Sequence, residues 1–331
     1  MLARTVRVRL AAGTALALLA VAIAVLWEAR DPREAVRLRD SLLARIGTPQ
    51  DFAWTPADVP PTFLRNTAEV PGTLARAADK VVTASDGWTR GLQIAMHLGD
   101  APNRDQPIQR STADAYRIMF TEGGGYCADF TQVFVGLATA AGVPVREWGL
   151  SFDGFGGDGH AVVEVFDERR GKWLMIDPFN SFYPADAATG EPLSVLEFRE
   201  RLRSPRPLET TRIVRISPRV NEFPVDEKLV EYFRRGIDQF YLWWGTNLFS
   251  YEQDPFVAVA SRVSRTAEQA VAILRGVHPG IVILPTGTNQ ELIRAERHQR
   301  QRTLTYLITL GVLAVLLVVQ LLLLLPGRRR A

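Results

Sequence analysis

From Thr303 to Leu325 the chain runs without a single charged residue. Such a stretch has few folded solutions. A helix satisfies its own backbone groups in hydrocarbon, and about 20 apolar residues cross the roughly 30 Å core of a bilayer. The run closes on Pro326, Gly327 and three arginines, a basic flank of the kind retained in the cytoplasm. A second apolar run, Leu10 to Trp27, follows Arg4, Arg7 and Arg9 and reads as a signal peptide or a signal anchor. Ala22 and Ala24 are small enough for cleavage, but cutting there leaves the apolar stretch weakly bounded, which favours the anchor. Two spans put both termini on one side. The terminal arginines assign that side to the cytoplasm; the arginines flanking the inner ends of the two runs (Arg30 to Arg39, Arg294 to Arg302) balance each other, and long loops translocate largely regardless of charge. The expectation is a two-pass inner-membrane chain with its body in the periplasm or otherwise outside the cytoplasm.

The body must then be an ordered globular domain. Hydrophobic residues make up 47% and charged residues 23%, which excludes disordered and collagen-like chains. A net charge of +3, with the arginines scattered along the chain, gives no basic face for nucleic acid. One cysteine rules out an intramolecular disulfide, so the question becomes what the lone thiol is for.

Apolar periodicity predicts helix over Leu74 to Leu98 with a break near Gly87, then a loop over Asp100 to Gln109. After Gly123, Gly124 and Gly125, the spacing of Phe130, Phe134, Leu137 and Ala141 predicts a helix that starts at Cys127 and stops at Gly142 and Pro144. Val143 to Leu150 reads as a strand, Ser151 to Gly159 as a glycine-rich loop, and His160 to Phe166 and Lys172 to Asp177 as two more strands. A free cysteine is more often a small buried hydrophobe than a nucleophile. Placement at a helix N-terminus changes that weighting, because the macrodipole and unpaired backbone N–H groups favour thiolate and can hold an oxyanion. If the two strands form a hairpin closed by Asp167 to Arg170, Phe166 faces Gly171 and His160 faces Asp177, with Cβ atoms roughly 4.5–5.5 Å apart. A one-residue slip would send the two side chains to opposite faces.

The segments Gly125-Tyr126-Cys127-Ala128-Asp129-Phe130, Ala140 to Arg146, Gly159-His160-Ala161-Val162-Val163-Glu164-Val165 and Trp173-Leu174-Met175-Ile176-Asp177-Pro178 together resemble the core of the transglutaminase-like superfamily. The resemblance spans about Gly123 to Pro178. It implies a papain-like α+β fold, in which a helix bearing the cysteine packs on an antiparallel sheet bearing the histidine and aspartate. It also implies catalytic roles for Cys127 as nucleophile, His160 as general base and Asp177 as orienting acid. On this reading the chain divides into a basic N-terminus (1–9), a span (10–27), an N-terminal extension (28–72), the core (73–185), a C-terminal extension of unassigned role (186–302), a second span (303–325) and a basic tail (326–331). The expected activity is acyl transfer or hydrolysis at the amide bond of a peptide or other substrate, through a cysteine thioester. The alternative is a non-catalytic scaffold of a cell-envelope or polysaccharide assembly, with envelope proteins as partners. No cofactor or metal is implied; no acidic loop has calcium-hand spacing.

Tyr126 and Asp129 flank the nucleophile and are candidates for touching substrate, or equally for core contacts and a first-turn dipole partner. His97 reads as an ordinary helix residue, and His278 and His298 more so. The loop Asp153 to Gly159 is either a mobile cover over the cleft or a flexible strand connection. The aromatic cluster Phe240 to Trp244, with Phe249 and Tyr251, reads as packed core or a membrane-interface belt before a docking surface. Arg294 to Arg302 reads as a juxtamembrane face against lipid headgroups.

Overall fold

The computed structural model describes residues 4–28, 30–102, 106–218 and 223–325. The basic tail 326–331 and the first three residues lie outside the described residues. The chain separates into two units, 1–42 with 290–331, and 43–289.

The first unit holds three helices, α1 (Arg4–Glu28), α2 (Pro32–Leu43) and α13 (Gln290–Leu324). Helices α1 and α13 are each long and apolar enough to cross a membrane, and their apolar windows are almost unburied. They run antiparallel: near one end Arg7 donates to the Leu323 carbonyl, and near the other Tyr306 donates to Glu28, which also pairs with Arg302 at 3.3 Å.

The second unit is α+β. Its elements are β1 (Ala44–Ile46), α3 (Gln50–Ala53), α4 (Gly72–Val81), α5 (Gly87–Gly99), α6 (Thr112–Thr121), α7 (Cys127–Ala140), β2 (Val145–Ser151), β3 (Gly159–Asp167), β4 (Lys172–Ile176), β5 (Phe182–Asp186), α8 (Val195–Leu202), β6 (Thr211–Arg215), α9 (Asp226–Arg235), β7 (Phe240–Trp243), α10 (Leu248–Glu252), α11 (Pro255–Ala260), α12 (Arg265–Leu274) and β8 (Ile281–Ile283). Six strands form a mixed sheet in the order β1-β8-β7-β2-β3-β4, and β5 with β6 forms a small second sheet. β1 and β8 run parallel; the other neighbours in the large sheet are antiparallel.

Period-two alternation gives the sheet two buried faces. Val163, Val165, Leu174 and Ile176 join the helical core of Leu74, Ile94, Phe130, Phe134 and Leu137. Trp148, Leu150, Val162, Met175, Leu242 and Val282 face the other way, into an aromatic core with Trp54, Phe198 and Phe233. A buried ion pair sits on this second face: Glu164 accepts from Arg146 Nε at 2.6 Å, Trp148 Nε1 at 2.6 Å and the Val195 N–H at 2.8 Å. The Arg146 guanidinium lies over the rings of Trp173, Trp54 and Trp148. Burial alone would expel such charges; reciprocal hydrogen bonds and ring faces retain them.

The predicted elements around the thiol appear nearly as read, but the β3–β4 register differs by two residues. Phe166 pairs with Trp173 and Asp167 with Lys172, not Phe166 with Gly171. The turn is therefore Glu168 to Gly171. Gly171 takes φ 63°, a left-handed value that suits glycine, and its N–H donates to the Asp167 carbonyl. The Asp167 carboxylate accepts the Arg169 N–H and binds the Arg170 guanidinium, so the aspartate serves as the last paired residue and turn-former rather than as the first loop residue. Because the shift is two and not one, no side chain changes face.

Candidate active site

Cys127 opens α7 and is half-buried. Three consecutive glycines bring the chain to it, with φ of 84°, 97° and 108° at Gly123, Gly124 and Gly125. A side chain at Gly125 would meet the Phe130 ring at 3.0 Å and Met119 at 3.3 Å, so conformation and space both call for glycine there. The turn is pinned by Asp129, which is 4% exposed. Its Oδ2 accepts the N–H groups of Tyr126 (2.9 Å) and Ile108 (3.1 Å), and its Oδ1 accepts that of Gln109 (2.9 Å). The Gln106 carbonyl in turn accepts the Gly125 N–H at 2.6 Å. One carboxylate thus caps the helix that starts at Cys127 and ties it to the loop at 106–109. Tyr126, by contrast, is 43% exposed beside the thiol.

His160 lies at the start of β3, opposite Leu150 of β2. Its Nε2 is 2.7 Å from Asp177 Oδ2, and both side chains are buried. With β4 ending at Ile176, Asp177 is no longer directly opposite His160, but even parity keeps both on one face and the contact closes on the diagonal. The carboxylate is itself held: Oδ1 accepts the N–H groups of Phe179 (3.0 Å) and Asn180 (2.9 Å), and Oδ2 accepts Asn180 Nδ2 (2.9 Å). Nδ1 of the imidazole is buried and makes no hydrogen bond of ordinary geometry, yet the Cys127 thiol is near enough to act on the ring. Burial works to lower the imidazole pKa; the charge and hydrogen bond of Asp177, followed by those of Cys127, outweigh it and raise it to about 10. The Asp177 carboxylate thus favours the charged form of the ring, and the nearby Cys127 adds to the effect. A cysteine–histidine pair can deliver a thiolate nucleophile and return a proton to a leaving group.

Residues 75–178 match the family model of the transglutaminase-like superfamily. This stretch is a transglutaminase-like domain. Among solved structures, a chain described as "a Putative Cysteine Protease from Cytophaga hutchinsonii" aligns at 22% identity over 40% of this chain and 47% of that one, with a TM-score of 0.29. The alignment thus spans about half the length of that protein. No curated protein matches.

Cys127, His160 and Asp177 all fall within the transglutaminase-like domain, but part of their surroundings does not. Helix α9 sets Tyr232 and Phe233 edge-on to the imidazole, each with ring centroids 5.4 Å from it. Tyr232 also packs on Phe152 (5.0 Å) and Phe223 (4.6 Å), and Arg235 lies over Phe152. In the glycine-rich loop before His160, Phe155 is buried and the Gly154 N–H donates to Gln239. Asn180 could have been suspected from the Asp-Pro-Phe-Asn string, a turn in which side chains bond the nearby backbone. Tyr232 and Phe233 carried no such local signal. His97 stacks on Phe120 at 4.5 Å and reaches the Tyr116 hydroxyl at 3.1 Å, and burial lowers its pKa; it is packed away within the helical layer. The aromatic run Phe240 to Trp243 is strand β7 at the middle of the sheet, with Phe240 and Leu242 in its core. Among the described residues no cluster of His, Cys, Asp and Glu has the makings of a metal site.

Proposed function

We propose that the chain is a membrane-anchored cysteine enzyme that cleaves or transfers the acyl group of an amide. The observation that carries this reading is the His160 imidazole, bound through Nε2 to a buried, fully engaged Asp177, with Nδ1 buried and making no hydrogen bond and Cys127 at the start of α7 acting on the same ring. The Cys127 thiolate attacks the amide carbonyl carbon. Negative charge gathers on the carbonyl oxygen, where the N–H groups at the first turn of α7 are the available donors. The C–N bond then breaks, His160 gives its proton to the departing amine, and a thioester remains. Water or a second amine attacks the thioester with His160 taking a proton; the C–S bond breaks and the imidazolium–thiolate pair is restored. The two fates share every earlier step. Helices α1 and α13 serve as the anchor; on this reading they span the inner membrane with both termini cytoplasmic and the transglutaminase-like domain outside.

The reading is tested by the rate of iodoacetamide alkylation of Cys127 across pH 5–9 in the full-length protein in detergent, against His160→Ala. Rapid alkylation below neutral pH that is lost in the variant supports the pair. A thiol equally slow in both proteins sinks the catalytic reading and leaves the scaffold, for which Cys127→Ser would keep full biological function.

A further inference from the structure

The hairpin of α11 and α12 buries its inner side and leaves a surplus of apolar surface outside. Val257, Ala260 and Ala272 are packed inward. Phe256, Val259 and Val263 follow one another at i, i+3 and i+7, a single stripe continued through the turn after α11, and they are 60%, 62% and 78% exposed. Leu274, at the end of α12, is 87% exposed. The next residue joins it to the stripe, since the Arg275 guanidinium lies 4.9 Å over the Phe256 ring. Large side chains this exposed, and gathered on one hairpin, are unlike the scattered exposed apolar residues of an ordinary surface.

The charges around this stripe have one sign toward solvent. Arg262 is exposed, and Arg265 and Arg275 have side chains 57% and 48% exposed. Their carboxylate partners, Glu268 and Asp254, are 11% and 7% exposed. Connectivity adds a third observation. The segment after α12 leads into β8 at Ile281, which pairs with Ala44 of β1, and a side chain at Gly280 would lie 2.8 Å from the Leu43 carbonyl. The hairpin therefore leads into the end of the sheet at which the parallel strands β1 and β8 both begin.

We propose that the α11–α12 hairpin rests in the interfacial layer of the bilayer, with Phe256, Val259, Val263 and Leu274 among the upper acyl chains and Arg262, Arg265 and Arg275 among anionic headgroups. The inference rests on the membrane-anchored part of the function proposed above, not on its chemistry. Contact of this kind holds the catalytic body against the membrane by a second attachment and fixes which side of it faces away.

The test uses the full-length chain in liposomes containing anionic phospholipid. Val259→Cys and Leu274→Cys, each in a Cys127→Ser background, carry an environment-sensitive NBD label; Lys228→Cys on α9, whose lysine is 69% exposed, is the aqueous control. The labels at 259 and 274 should be quenched by lipids brominated near the headgroup and be several-fold less accessible to aqueous iodide than the label at 228. Iodide quenching equal to the control overturns the proposal. So does protection from iodide without quenching by brominated lipid, which means that a protein, whether a partner or a second copy, covers the stripe. Alkaline carbonate extraction of the same vesicles reads the anchor separately: retained protein with iodide-accessible labels removes the hairpin contact alone, and released protein removes both.

Discussion

Replacing Asp129 by asparagine keeps the size of the side chain and removes its charge, which isolates the clamp on the start of α7. In the native protein the carboxylate accepts three backbone N–H groups, from Ile108, Gln109 and Tyr126, at a residue that is 4% exposed. A hydrogen bond to a charged group is worth about 1.5–3 kcal/mol, against about 1 for a neutral one. An asparagine has one acceptor oxygen, so however its amide turns, it points an NH₂ at one or more of these donors. Losing one charge-assisted bond and weakening the others amounts to about 3 kcal/mol, more than an ordinary helix cap. For a unit of this size each kcal/mol moves the melting temperature by about 2–4 °C, so the transition should fall by roughly 6–12 °C. The assay is tryptophan fluorescence during a thermal ramp of the full-length protein in detergent, at one fixed scan rate. Because the same carboxylate sets the entrance to α7, alkylation of Cys127 at 25 °C, where the variant is still folded, should slow as well. A melting temperature within about one degree of wild type, with unchanged alkylation, would refute the clamp.

Four further outcomes follow from the site and its supports. In Asp177→Asn the main group raising His160 is gone and burial, which lowers it, prevails; the alkaline limb of the pH–rate profile, above neutral in wild type because the proton on His160 is lost only as pH passes its raised value, should drop below neutral, while an unmoved limb would mean that Asp177 does not set the imidazole's charge. The same sign governs stability: the contribution of the charged ring is complete below its ordinary value of 6.5 and fades as pH rises toward about 10, which urea unfolding at a series of pH values would read. Tyr232→Ala removes a ring packed on His160, Phe152 and Phe223 and should lower both kcat and melting temperature, and Tyr232→Phe should restore both; failure of phenylalanine to restore kcat would point to the hydroxyl instead. Glu164→Ala strands Arg146 among three tryptophans and should cost about 3–5 kcal/mol in urea unfolding, whereas a cost under 1 kcal/mol would show that water reaches the pair.

What could be read in the sequence is what local physics repeats. The helix at Cys127 was legible because its apolar spacing, the glycines before it and Gly142 after it act within a few residues. The side-by-side placement of His160 and Asp177 was legible because strand side chains alternate with period two, so any even register keeps them on one face. The actual register was decided by Asp167 acting as paired residue and turn-former at once, with Gly171 in the left-handed region, a choice made by the turn's hydrogen bonds and by packing across the whole sheet. The role of Asp129 divided in the same way: its place in the first turn was visible, but its hold on Ile108 and Gln109 required a loop to fold back over the glycines. Tyr232 and Phe233 lay furthest from reach. They come to His160 from a helix well beyond the transglutaminase-like domain, and the burial of aromatic surface that brings them there is non-directional, with no spacing that would mark it in the chain. The sequence by itself determined the helix start and strand positions that Cys127, His160 and Asp177 occupy and the face that the last two share; only the tertiary structure decided which wall, clamp and turn surround them, because those contacts join segments whose separation along the chain carries no periodic signal.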